Sequence, residues 1–192
     1  MPHYIVFTGH MIDNKDRKSP RFPASRSVAA GEAIRATLQK IQAATKDRSL
    51  QGIAAAACGG DILFHEACRD LQIPSELYLA IPIEAFNQSS VAFAGPDWEK
   101  RYRALTRSLP VHILHPEATA HAPNTIWEEA NRWMLDTALA AGGRDMTLIA
   151  LWDGGKGDTG GTSHMIDVAK TQHATIDIID STKLPSFPYY AG

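Results

Sequence analysis

Short apolar runs alternate along this chain with longer segments in which apolar residues recur every three or four positions. An apolar or β-rich run predicts a strand, and the three-to-four spacing predicts an amphipathic helix. Strands are predicted on this basis at 4–8, 52–57, 76–81, 111–114, 146–151 and 175–179. Helices are predicted between successive strands at 28–45, 61–71, 96–108, 125–141 and 162–172.

This alternation of strands and helices is typical of an α/β protein with a parallel sheet. We therefore predict an α/β fold with an open, mostly parallel sheet and helices on both faces. The length of 192 residues fits a single domain, which we expect to end in an irregular tail from about residue 181. Ligands of such sheets bind beyond the carboxyl ends of the strands, where the strand order reverses. The loops after strands one, two and five are therefore the predicted site.

These three loops are rich in small residues, and the second and third each lead into a helix. The first N–H groups of a helix and the positive end of its dipole attract anions, and glycine lets an anion approach closely. We expect a phosphate to bind there, although paired glycines could also form only tight turns. The candidate ligand-binding residues in the loops are Thr8, Gly9, His10, Gly59, Gly60, Asp61, Asp153, Gly154, Gly160, Gly161, Thr162 and His164.

Three carboxylates are candidates for acid–base catalysis: Asp61, Glu66 and Asp153. Asp61 could instead cap a helix or bind ribose hydroxyls, and Asp153 could instead shape an Asp-Gly turn. Next to a phosphate, Asp153 would need a Mg²⁺ ion or a ribose hydroxyl between them, so Mg²⁺ is the cofactor considered. The chain has no Cys-x-x-Cys or His-Glu-x-x-His motif, so no metal-ligand set is indicated.

The long predicted helix and the first long loop add further candidates. Asn131 shares an apolar helix face, where an amide needs a hydrogen-bond partner, and a ligand base could supply it. Basic residues cluster at 15–26, either as a solvated loop or as a lid whose arginines close over a phosphate. Trp98 and the aromatic tail are candidates for an interface between copies in a homo-oligomer.

The net charge, the cysteine content and the lengths of the apolar runs indicate which partners and which cellular compartment to expect. The net charge of −2 gives no overall basic excess, which disfavours a nucleic-acid partner. Two cysteines in apolar stretches are typical of a reducing compartment, so we expect a cytoplasmic protein. No apolar run approaches the roughly 20 residues that a membrane span needs, so no membrane partner is expected.

The run 57–67 (ACGGDILFHEA) resembles the second-strand motif of the SLOG superfamily, which includes the Smf/DprA and LOG proteins. Asp61 and His65 have the spacing of that motif, Gly160 to Thr162 resembles a later helix-opening turn, and Thr8-Gly9 fits the first loop. The resemblance implies a Rossmann-like fold that binds a nucleotide or a nucleotide derivative. Some members hydrolyse nucleoside monophosphates, others bind single-stranded DNA, and others are ligand sensors in signalling or defence.

Two functions follow as expectations. The first is a ligand sensor that binds a phosphate-bearing nucleotide or derivative over the strand-end loops. The alternative is a hydrolase that cleaves an N-glycosidic bond in a nucleotide or NAD-like substrate. Where LOG enzymes carry a catalytic Glu, this chain has Met165, which favours binding without hydrolysis.

Overall fold

The computed structural model describes residues 2–114, 126–142, 146–155 and 161–188. The strands are β1 (His3–Gly9), β2 (Leu50–Ala54), β3 (Ser75–Leu79), β4 (Val111–Ile113), β5 (Met146–Trp152) and β6 (Thr175–Asp180). The α-helices are α1 (Ser27–Ala44), α2 (Gly60–Asp70), α3 (Ile83–Ser90), α4 (Pro96–Ser108), α5 (Ile126–Gly142) and α6 (Thr162–Thr171). Short 3-10 turns lie at Ala24–Arg26 and Ala92–Ala94.

The six strands form one sheet in the order β4-β3-β2-β1-β5-β6, and every neighbouring pair is parallel. The strand order reverses between β1 and β5, because β1 pairs with β2 on one side and with β5 on the other. The carboxyl ends of β1 and β5 therefore flank the place where open parallel sheets bind their ligands.

Alternating residues of β1 enter two separate cores, one on each face of the sheet. Ile5 and Phe7 pack in a core with apolar residues of α1, α2 and α4. Val6 packs in a second core with apolar residues of α5 and α6. The predicted Rossmann-like fold, with helices on both faces of a parallel sheet, is thus confirmed.

Two differences from the predicted elements shape the site. The strand predicted at 52–57 ends at Ala54, because beyond it the backbone bonds elsewhere: the Ala57 N–H donates to Asp61 Oδ2 and the Cys58 N–H to the Ser90 carbonyl. Helix α3 was not predicted, because its eight residues carry several polar side chains of modest helix propensity. Its Phe86 is nonetheless buried and holds the helix against the core.

Trp98 is fully buried in the first core, with Arg101 stacked over its ring. It is therefore a core residue, and the expectation that it lies at an interface between copies is wrong. The tail at 181–188 has no helix or strand; the Phe187 N–H donates to the Ser25 carbonyl, and the Phe187 side chain is exposed. Within the described residues, no helix has the length and apolar character of a membrane span.

Candidate functional site

A cavity of about 690 Å³ opens over the carboxyl ends of the sheet. Its lining comes from the segments that follow β1, β2, β3 and β5, from the end of α3 and from the first half of α5. Neighbouring strands lie about 4.8 Å apart, so a cavity that crosses from β3 to β5 spans about 14 Å. That span exceeds what a phosphate alone requires.

Seven of the residues predicted to bind a ligand line this cavity, although they come from four separate parts of the chain: Thr8, Gly9, His10, Asp61, Asn131, Gly161 and Thr162. Gly161 is the N-cap of α6, with φ of −83° and ψ of −173°, and no side chain caps that helix. Because these angles are extended, any residue could adopt this backbone conformation. Glycine at 161 is therefore not required by the turn, and it leaves the start of α6 open toward the cavity.

The Gly59-Gly60 turn has a different role from the one predicted. The Gly60 N–H donates to the His10 carbonyl at 3.1 Å, so it is not available to a phosphate. A Cβ on Gly60 would lie 2.9 Å from the Phe7 ring, and Gly59 has φ of +107°, which favours glycine. Neither glycine lines the cavity. Close packing of α2 against the end of β1, rather than anion binding, accounts for both.

Three other candidates lie away from the cavity lining. The Glu66 carboxylate pairs with Arg101, with 2.9 Å between Oε1 and the Arg101 Nε. Gly154, with φ of +82°, and His164 do not line the cavity either. We therefore leave Glu66 out of the proposed chemistry. Gly160 lies outside the described residues.

The segment from residue 10 to residue 22 folds over the cavity and is fixed by one carboxylate. Asp13 Oδ2 accepts hydrogen bonds from the N–H groups of Arg21 and Phe22, both at 2.8 Å, and the Phe22 side chain is fully buried. Arg17, whose Nε lies 3.5 Å from Asp13 Oδ1, and Arg21 both line the cavity. The two arginines are thus positioned as the lid alternative requires, whereas Lys15 and Lys18 are exposed to solvent.

His10, Arg21 and Asp153 form a charged cluster between β1 and β5. Arg21 Nε lies 3.4 Å from Asp153 Oδ2, and Arg21 Nη2 lies 3.5 Å from His10 Nδ1. His10 Nε2 accepts the Asp153 backbone N–H at 3.1 Å and lies 3.1 Å from Asp153 Oδ1, so both ring nitrogens of His10 have partners in the cluster. Burial lowers the pKa of His10, Asp153 offsets part of that change, and Arg21 lowers the pKa further, so the ring is neutral near pH 7.

Asp153 itself is held as a carboxylate. Burial alone would raise its pKa, but the Gly155 N–H, His10 and Arg21 together lower the pKa below its ordinary value. The Gly155 N–H donates to Asp153 Oδ1 at 2.9 Å, so the residue also shapes the turn after β5. Asp153 reaches the cavity through His10 and Arg21 rather than by lining it.

Asp61 is the second residue of α2, after the N-cap Gly59, and only 7% of its surface is exposed. Its Oδ2 accepts the Ala57 N–H at 3.1 Å. Burial raises the pKa of Asp61 to about 7, and the Ala57 N–H offsets only part of the rise. Asp61 is therefore a buried acid at the cavity wall that can exchange its proton near neutral pH.

His65, one turn further along α2, belongs to the core. Its Nε2 lies 2.9 Å from the Ala55 carbonyl and its Nδ1 lies 3.0 Å from Ser75 Oγ, so both ring nitrogens have partners. Burial lowers the pKa of His65 to about 4, which keeps the ring neutral. These contacts give His65 a role in packing the core.

The end of the cavity away from α6 is aromatic, and the sequence did not single out most of its residues. Tyr78 on β3, Phe86 on α3 and Trp127 on α5 line it, and the Phe86 and Trp127 rings pack edge to face with centroids 6.0 Å apart. The exposed Phe93 also lines the cavity. Helix α3 was not predicted, and nothing in the sequence indicated that Tyr78, Phe86 and Trp127 line one cavity.

Comparison with known proteins supports the fold. No family model and no curated protein matches the chain. Among solved structures, DNA processing protein A (DprA) from Streptococcus pneumoniae is similar, with a TM-score of 0.51 and 14% sequence identity. The similarity covers 92% of this chain and 50% of the DprA chain, so the chain spans about half the length of that protein. DprA and this protein therefore share a Rossmann-like fold.

Proposed function

We propose that this domain binds a nucleotide or nucleotide derivative in the cavity at the β1–β5 switch point and acts as a ligand sensor. One observation carries the proposal: a single cavity is lined by aromatic rings from β3, α3 and α5 and also by two arginines that follow β1 and by the helix start that follows β5. A planar base and a phosphate are the two ligand groups that such linings bind.

The phosphate end is built from the start of α6 and the segment after β1. Gly161 and Thr162 present the first turn of α6, where unpaired N–H groups and the helix dipole favour an anion. Arg17 and Arg21 add two guanidinium groups, which bind phosphate oxygens through paired hydrogen bonds. Because His10 is neutral, the positive charge beside Asp153 among the described residues comes from Arg21.

The base end is built from Tyr78, Phe86 and Trp127. Aromatic rings give a flat apolar surface on which a base stacks, a contact worth roughly 1–3 kcal/mol per base. Asn131 lies on the cavity lining from α5 and offers an amide to a base edge. A protein that binds single-stranded nucleic acid needs a positively charged groove along the backbone, and the net charge of −2 does not indicate one. We therefore propose a small ligand.

A thermal-unfolding experiment tests this proposal directly. Nucleoside 5′-monophosphates, NAD and ADP-ribose, each with and without Mg²⁺, are compared with the corresponding nucleosides. We expect a phosphate-bearing compound to raise the melting temperature and its nucleoside to raise it less, because a ligand that binds only the folded state stabilises it. Equal shifts with nucleotide and nucleoside, or no shift with any compound, would contradict the phosphate end of the site.

Gly161→Val is the matching variant for this experiment. The extended backbone at 161 accepts valine without strain, so the variant is expected to melt close to the native temperature. Because Gly161 lines the cavity, the added side-chain atoms should obstruct the anion and abolish the shift produced by the nucleotide. Gly31→Ala, where the added methyl group meets Leu63 at an ordinary 3.5 Å, should retain that shift.

Asp61 supports a second candidate function, hydrolysis of an N-glycosidic bond. A carboxyl group with a pKa of about 7 suits the protonation of a departing base while water adds to the sugar carbon. The products would be free base and ribose phosphate from a nucleoside monophosphate, or nicotinamide and ADP-ribose from NAD. Chromatographic detection of free base from nucleoside monophosphates or NAD tests this candidate, and Asp61→Asn should lower the release by about 100-fold or more. Without base release, the sensor proposal stands alone.

A further inference from the structure

The order of the lining residues along the cavity places Asp61 between its two ends. In the sheet order β3-β2-β1-β5, strands β2 and β1 lie between β3 and β5. Tyr78 of the aromatic wall lies on β3, and the start of α6 follows β5. The Asp61 carboxylate bonds to the Ala57 N–H, three residues beyond β2. A nucleotide has its sugar between base and phosphate, so the sugar of a bound nucleotide would lie beside Asp61.

One oxygen of Asp61 is left for a ligand. Oδ2 accepts the Ala57 N–H, whereas Oδ1 has no hydrogen bond or ion pair with any residue that the structure describes. Oδ1 is not among the fully buried polar atoms that lack a partner, so it is accessible at the cavity wall. A carboxylate has about four acceptor positions, so a donor from the ligand can bind there.

The surroundings of Asp61 favour hydroxyl groups over the other ligand groups. A phosphate beside Asp61 would meet a like charge, and the cavity's arginines come from the segment after β1. The residues that line the cavity on either side of Asp61, Ala55 and Ala57 after β2 and Thr8 and Gly9 at the end of β1, are small. Sugar hydroxyls fit between them and donate to a carboxylate in strong, charge-assisted hydrogen bonds.

We propose that Asp61 binds the ribose hydroxyls of the ligand, so that the site selects ribonucleotides over 2′-deoxyribonucleotides. This inference rests on the proposed function and narrows its ligand class. It also gives Asp61 a role in binding that does not depend on hydrolysis.

Titration calorimetry with the full chain tests the selection. Adenosine, guanosine and cytidine 5′-monophosphates are compared with their 2′-deoxy forms. A further comparison with 3′-deoxyadenosine 5′-monophosphate shows which ribose hydroxyl the protein binds. We expect the ribonucleotide to bind about 10- to 100-fold more tightly than the 2′-deoxy form, the worth of one hydrogen bond to a charged group. This comparison uses the native protein and therefore does not depend on a variant that folds.

Two variants assign the selection to Asp61. Asp61→Ala should bind ribo and deoxy forms equally, whereas Asp153→Asn, which acts through Arg21, should change both affinities by the same factor. Equal binding of ribo and deoxy forms by the native protein would overturn the inference while leaving the proposed function intact. A ribose preference that survives in Asp61→Ala would also overturn it, because another group would then read the sugar. Binding of no nucleotide at all would overturn the proposed function itself.

Discussion

Asp61→Asn is expected to make the protein more stable at pH 8, by roughly 2–4 kcal/mol in the free energy of unfolding. The native carboxyl is buried, has a pKa of about 7 and has no ion-pair partner among the described residues, so ionising it in the folded state is costly. Asparagine has nearly the same shape, still accepts the Ala57 N–H and carries no charge. A group kept for ligand binding at a cost in stability is typical of functional sites.

The gain should depend on pH in a defined direction. The folded-state pKa of Asp61 lies above the ordinary value of 3.8, so the folded protein retains a proton that the unfolded chain has already released. The destabilisation is absent below about pH 4, grows as the pH rises and is complete above about pH 7. The stability difference between Asp61→Asn and the native protein should follow the same curve.

Urea unfolding at several pH values from 4 to 8 measures this difference. His65, whose pKa is lowered to about 4, destabilises the protein as the pH falls below 6.5, but it is present in both proteins and cancels in the difference. Asp47→Asn removes one carboxylate at an exposed position and serves as the matched control. A difference that does not change with pH, or a variant less stable than the native protein at pH 8, would contradict the assignment of Asp61 as a buried acid.

The sequence predicted the fold and the edge of the sheet at which the cavity lies, because both depend on local periodicity and on a general rule for parallel sheets. Thr8, Asp61 and Thr162 could be placed there, because Thr8 ends a predicted strand and Asp61 and Thr162 begin predicted helices. Their side-chain environments could not be predicted. The burial that raises the pKa of Asp61 depends on how α2 packs against β1. The local sequence does not determine that packing.

The Gly59-Gly60 turn shows why one pattern can have two meanings. Two glycines before a helix are expected both where an anion binds and where backbones pack closely. Only the contact between position 60 and the Phe7 ring distinguishes them, and Phe7 lies more than fifty residues away in the chain. Gly161, which looks similar in sequence, has the extended backbone and the place on the cavity wall that Gly60 lacks.

The charged cluster could not be predicted from the sequence either, because its residues are far apart in the chain. His10 and Asp153 are 143 positions apart, and Arg21 joins them only because Asp13 folds the intervening segment back over the cavity. The basic run at 15–26 was visible, but its residues divide between different roles. Arg17 and Arg21 face the cavity, and Arg26 donates to the Ser181 carbonyl at 3.1 Å.

Arg21→Gln is expected to weaken the binding of a nucleoside monophosphate by about 10- to 100-fold and to leave the binding of the nucleoside nearly unchanged. A hydrogen bond between charged groups contributes about 1.5–3 kcal/mol, and only the phosphate can form it with Arg21. In the unliganded site the Arg21 guanidinium faces Asp153, with Nε 3.4 Å from Oδ2, so a bound phosphate competes with that carboxylate. Asp153→Asn should therefore have the opposite effect and tighten phosphate binding.

Calorimetry with adenosine 5′-monophosphate and adenosine, at two salt concentrations, separates the electrostatic contribution from general damage. Arg35→Gln makes the same chemical change on α1, where Arg35 pairs with Asp70 on the surface, and should leave both affinities unchanged. At high salt, screening weakens the attraction between Arg21 and the phosphate in the native protein. The difference in affinity between the native protein and Arg21→Gln should therefore be smaller at high salt. Equal losses for nucleotide and nucleoside would show that Arg21 shapes the cavity rather than binding the phosphate, and the anion would then have to be held by the start of α6 and Arg17.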